Sequence, residues 1–108
     1  MAPRLAAGLL VSALIRRAEE LGGNGMVLAR GDATAGAVLV QIAERGVAGP
    51  LLERLLDRDG EYRWSPTGPE SAEERSDYIA RRRRSDPDLW IIELDVAEGQ
   101  QLVEAVAG

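Results

Sequence analysis

Histidine, cysteine, lysine and phenylalanine are all missing from this chain of 108 residues, and those absences narrow its chemistry before any motif is read. Without cysteine there is no disulfide, no thiolate nucleophile and no zinc–thiolate site, and nothing marks the redox compartment. Without histidine the usual general base and the commonest transition-metal ligand are gone. Without lysine there is no Schiff base and no phosphate-loop lysine. Any chemistry must come from carboxylates, hydroxyls, arginine and backbone amides. The balance is therefore against an enzyme, and neither a cofactor nor a metal site is expected. Aromatic residues are scarce as well, two Trp and two Tyr, too thin a set for a base-stacking platform.

What remains is ordinary for a globular chain: 45% hydrophobic and 29% charged residues. The length suits one α+β domain over residues 1–108, able to bury about 65% of the surface its unfolded form exposes. A formal net charge of −5 repels phosphate polymers and anionic lipid, so neither nucleic acid nor a membrane is expected as a partner. The opening "MAPRLAAGLLVSALIRRAEELGG" has the outline of a secretion signal. However, Arg16 and Arg17 stand where a small-residue cleavage site belongs, and the helical pattern continues into Glu19 and Glu20. The apolar stretch 5–15 is also shorter than the ~20 residues that span a bilayer. A buried amphipathic helix in a cytoplasmic protein is predicted.

That first helix is expected from about Pro3 to Leu21, ended by Gly22-Gly23, with Leu10, Leu14, Arg17, Ala18 and Leu21 on one stripe. "GMVLAR" and "GAVLVQIAE" read as strands joined by a hairpin loop, "GDATAG". In the second, Val38, Val40 and Ile42 face one way and Leu39, Gln41 and Ala43 the other. "GVAGP" reads as a loop. "LLERLL" has helical spacing but strand length, and a strand pairing of 51–56 with 61–65 across the "DRDG" turn is preferred. Ser71 to Glu74 is an S-x-x-E capping box opening a helix to about Arg84, stopped before Pro87. "LWIIELDV" is the best strand, with Trp90, Ile92, Leu94 and Val96 on one apolar face. The tail 97–107 fits a hairpin arm or a short helix. The expected fold is an antiparallel β-sheet of about five strands with two helices packed on one face.

Four consecutive arginines, Arg81 to Arg84, invite a nucleic-acid reading. Successive helical side chains stand about 100° apart, so the four fan around the axis instead of facing one phosphate backbone. Between Glu70 and Asp88 there are six acids against five arginines, acids first and arginines last, as a helix dipole favours. Arg75, Tyr78 and Arg82 share a face. If Tyr78 turns inward, Arg82 follows it toward the sheet and needs Asp86, Asp88 or Glu93 as a partner, because an unpaired buried guanidinium costs several kcal/mol.

"RGDATAGAV" has the glycine gap of a phosphate loop at Gly31 and Gly36, but Ala37-Val38 replace the Lys-Ser/Thr that reaches phosphate and metal. A turn in which Asp32 accepts amide hydrogen bonds and the glycines take special backbone angles is the simpler reading. Glycine-lined backbone there would still be approachable by a ligand, with Asp32 and Thr34 beside it. "DRDGE" places Gly60 fourth, where a calcium loop needs its glycine sixth.

The segments "RGDATAGAVLV" and "Y…R…DPDLWIIEL", together with the leading "LLVSALIRR" helix, resemble a small alphaproteobacterial family catalogued as domain-of-unknown-function family 1491. The resemblance covers nearly the whole chain. It implies a short bacterial protein without an assigned activity, supplies no catalytic residues, and favours a strand hairpin for "LLERLLDRDGEYRW". Gly31-Asp32 and Asp86 to Trp90 would be the signature of that family here. The candidate binding residues are Arg30, Asp32 and Thr34 in the first motif and Tyr78, Arg82, Asp86, Asp88, Trp90 and Glu93 in the second. The leading expectation is a non-catalytic binding or adaptor module, with an unidentified protein partner or self-association. Behind it stand an anion or small-molecule binder or enzyme using carboxylates and arginine, and then nucleic-acid binding.

Overall fold

The computed structural model describes residues 5–107. Its elements run α1 (Ala7–Glu20), β1 (Asn24–Ala29), β2 (Val38–Glu44), β3 (Val47–Leu56), β4 (Tyr62–Thr67), α2 (Ala72–Ser85), β5 (Trp90–Asp95) and α3 (Gly99–Ala107). Of the first turn expected from Pro3, residues 3 and 4 lie outside the described residues, whereas Leu5 and Ala6 lie ahead of the helix, Ala6 in extended conformation, and the helix begins at Ala7.

The five strands among the described residues form one sheet in the order β1-β5-β2-β3-β4. The α+β class stands, but the sheet is mixed: β5 runs parallel to β2 and antiparallel to β1. A parallel neighbour needs a crossover, and α2 provides it by carrying the chain from the β4 edge back to the middle of the sheet. The insertion of β5 also separates β1 from β2, so "GDATAG" is a crossing loop and not the expected hairpin. The expected pairing of 51–56 with 61–65 is found as β3 with β4, Leu56 opposite Tyr62 and Leu51 opposite Thr67. At its turn the Asp57 carboxylate accepts the Asp59 and Glu61 amides, and Gly60 takes φ 83°.

"GVAGP", expected as a loop, belongs mostly to β3. The chain reverses in two residues, Arg45 and Gly46, both at positive φ (53° and 79°), the geometry that fits the twist of a hairpin. The Asp95 carboxylate accepts both turn amides at 2.8 and 2.9 Å, which ties this hairpin to the end of β5. Strand geometry therefore resumes at once with Val47.

Among the described residues three helices replace the two expected, and they divide between the faces. The undecided tail is α3, which lies with α1 on one face. There Leu10, Val11, Leu14 and Ala18 of α1 and Leu102 and Val103 of α3 meet Val38, Val40, Ile42, Leu52, Trp64, Trp90, Ile92 and Leu94. In α1 the buried stripe includes Ala7 and Val11, whereas Leu21 is exposed, because the helix ends before it. On the opposite face Tyr78 and Ile79 of α2 join Leu39, Leu51, Leu89 and Ile91. Alternation along β2 and β5 produces both layers, odd and even positions serving different helices. Helix α2 starts as expected, with Ser71 Oγ accepting the Glu74 amide at 3.1 Å. Among the described residues no helix is long and apolar enough to cross a membrane.

Candidate functional site

The two sequence motifs meet at one corner of the molecule. The loop after β1 lies against the turn before β5: the Asp32 amide donates to the Asp88 carbonyl (3.0 Å), and the Trp90 indole N–H donates to the Asp32 carbonyl (2.7 Å). The Trp90 amide reaches the Ala37 carbonyl at 2.8 Å. From the other side, the Ala7 and Gly8 amides at the start of α1 donate to the Thr34 and Ala33 carbonyls. A helix start leaves amides without intrahelical partners, and Ala6 has no side chain to cap them, so the loop does that work.

The loop glycines are explained by this crowding. Neither Gly31 nor Gly36 has a positive φ, contrary to expectation. Instead a Cβ on either would overlap the Asp88 carbonyl, so the requirement is close backbone approach. Asp32 holds the turn from within, its Oδ2 accepting the Thr34 and Ala35 amides at 3.1 and 2.7 Å. Those two amides hold the Asp32 carboxyl below its ordinary value, Ala35 contributing most. Asp86 holds the second turn in the same way, Oδ1 accepting the Asp88 amide at 3.2 Å. Thr34 contributes only its backbone to these contacts.

Arg30 leaves the end of β1 over the face of Trp90, guanidinium carbon 5.7 Å from the ring centre, within cation–π range. Beside it opens a polar cleft of about 200 Å³ lined by Ala29, Arg30, Arg83, Asp86, Pro87 and Leu89. Among the described residues neither Arg30 nor Arg83 has a carboxylate partner. This corner gathers Arg30, Asp32, Thr34, Asp86, Asp88 and Trp90. No three acidic groups there or elsewhere among the described residues stand close enough to hold a metal ion.

Tyr78 and Arg82 form a separate cluster. Arg82 pairs with Glu53 of β3 through two parallel hydrogen bonds of 2.9 and 2.8 Å, and donates to the Tyr78 hydroxyl at 2.9 Å. Tyr78 in turn lies 3.2 Å from the Thr67 hydroxyl. The partner expected from Asp86, Asp88 or Glu93 is therefore Glu53, whose hydrogen bonds raise the Arg82 pKa and hold its charge. Sequence offered a signal for this: Glu53 follows Leu51 at strand spacing and so points to the same buried face. Arg75 goes further in, 8% exposed, donating only to the Glu70 carbonyl while its Nε finds no partner among the described residues. Glu93 stands apart, in mid-strand opposite Met26 and Gln41, without an ion pair among the described residues. Arg83 was hidden in the arginine run, and only the tertiary approach of β1 singles it out.

Residues 5–104 match the model of a family described as protein of unknown function (DUF1491). A crystal structure of a DUF1491 family protein from Caulobacter crescentus is 36% identical, with a TM-score of 0.80 over 91% of this chain and 94% of that one. A solution structure of a DUF1491 family protein from the same organism gives 36% and 0.78, over 94% of each chain. A protein from A. tumefaciens is 31% identical with a TM-score of 0.74, over 93% of this chain and 92% of that one. No curated protein matches significantly.

Proposed function

The chain belongs to the DUF1491 family, a family of unknown function, and we propose that it is a non-catalytic binding module that seats an acidic group of a protein partner between Arg30 and Arg83. The observation that carries this reading is the pair of guanidiniums that line one cleft with Asp86 and form no ion pair among the described residues. A guanidinium presents a planar fork of donors suited to a carboxylate. Arg30 is steadied by Trp90, and Trp90 by its bond to the Asp32 carbonyl, so part of the ordering cost of binding is met before a ligand arrives. Asp86 in the same cleft accepts hydrogen bonds, which suits a peptide bringing an N–H beside its acid.

Size favours one side chain over a metabolite. A cleft of about 200 Å³ is below the ~300–1,000 Å³ usual for small-molecule sites. The reading assigns no role to nucleic acid: Arg82 is committed to Glu53, and the chain carries a net charge of −5.

The test is affinity capture from host lysate with the wild-type chain and Arg83→Glu, a change at an exposed position. A stoichiometric partner held by the wild type and lost from Arg83→Glu is expected. A partner that Arg83→Glu retains would remove the cleft from the interface.

A further inference from the structure

The sheet has two edges of opposite character. β4 closes one edge with Pro66, which has no N–H to offer, and with Arg63, paired to Asp57 at 2.5 Å. Proline and charge are what natural sheets use to keep a free edge from pairing. β1 closes the other edge and has neither. From Leu21 to Ala29 the chain carries no charge, and Met26, Val27 and Leu28 are 53%, 41% and 41% exposed. Its ladder to β5 is regular from Asn24 to Val27 and shifts only before Ala29.

We propose that β1 pairs antiparallel with β1 of a second copy of this chain, joining two sheets across a twofold axis. The charges that flank the strand along the chain point to a copy of itself. Arg30 follows β1 directly, and Glu19 precedes it across the Gly22-Gly23 corner. Neither has an oppositely charged partner within the described residues. Antiparallel order sets the Arg30 end of one strand beside the Glu19 end of the other, twice by symmetry. Two chains of net charge −5 repel one another, and β1 is an uncharged strip along which they can meet. The dimer leaves only the guarded β4 edges outside.

A six-residue strand spans only ~20 Å, and a ribbon that short buries less than the ~1,200 Å² of stable interfaces, so association should be reversible in the micromolar range or weaker. Sedimentation equilibrium of the full chain across a concentration series reads it directly. The mass is expected to climb from 11.6 kDa toward twice that value. Met26→Lys together with Leu28→Lys, at exposed positions whose change leaves the core alone, sets like charges across the ribbon and should weaken association by about tenfold or more. Arg30→Glu should weaken it too, and adding Glu19→Arg should restore it.

A mass fixed at 11.6 kDa up to millimolar concentration would overturn the proposal. So would association that survives the double substitution, or a charge swap that restores nothing. Arg30 also lines the cleft, so the two readings are separated by Met26 and Leu28, which lie outside the cleft, and by Arg83, which is tested through partner capture.

Discussion

On one face of the sheet α1 and α3 rest on an unbroken apolar layer, with Leu14 of α1, Val40 of β2 and Ile92 of β5 all fully enclosed. On the other face α2 buries only Arg75 among its own residues, and is held by Tyr78, Ile79 and the two hydrogen bonds of Arg82 to Glu53. Apolar burial is non-directional and scales with area; a forked guanidinium–carboxylate pair fixes position and rotation while adding less net stability. The first face should therefore carry the global stability of the fold. The second should set where α2 stands, and with it where Arg83 stands, while being able to open on its own.

The strongest way to break this contrast is to damage the apolar face. Leu14→Ala removes a fully enclosed side chain from between α1 and the sheet, and a loss of about 2–5 kcal/mol is expected for such a truncation. Urea unfolding should show it as a single shifted transition. Loss of α1 alone, with the β2–β5 ladder untouched, would contradict a shared core.

Glu53→Ala sharpens the other side. It strands the Arg82 guanidinium at a partly buried position, where leaving one partner unsatisfied costs about 1–3 kcal/mol. Hydrogen exchange should rise across 72–85 while amides of β2 and β5 stay protected. Removing Arg82 as well should recover part of the loss, since no stranded charge is then left. Equal deprotection of both faces would mean that the ion pair belongs to the global core after all.

The same contrast explains which parts of the fold were legible in sequence. Strands β2 and β5, the β3–β4 hairpin and the Ser71 cap are specified by alternation, turn residues and capping within a few positions, and each was read at nearly its observed place. Long-range assembly is not written that way. No local pattern states that β5 slides between β1 and β2, or that α2 crosses to the face away from α1. Arg82 shows the limit well: its inward turn followed from the spacing to Tyr78, but its partner lies 29 residues back in another strand. The motif glycines show a different limit. Their presence was visible, but the Asp88 carbonyl that excludes a Cβ is brought there only by the fold.

The smallest effect expected lies at the corner where the two motifs meet, and it is read through pH. Asp32 is held below its ordinary pKa by the Ala35 and Thr34 amides, and Asp57 is held low by Arg63 and the Glu61 amide. A carboxyl whose folded pKa is depressed contributes stability above its unfolded value, ~3.9 for Asp. That contribution fades as pH falls through the lower folded value. Both groups should therefore make the fold lose stability between about pH 4 and the depressed values. Asp32→Asn keeps an oxygen in place for the same two amides but removes the charge. Melting temperatures of wild type and Asp32→Asn should differ at pH 7 and draw together as pH falls below the unfolded value, leaving Asp57 to supply the remaining slope. Parallel curves over that range would mean that the Asp32 charge contributes nothing, and that the loop is held by its backbone contacts to Asp88 and α1 alone.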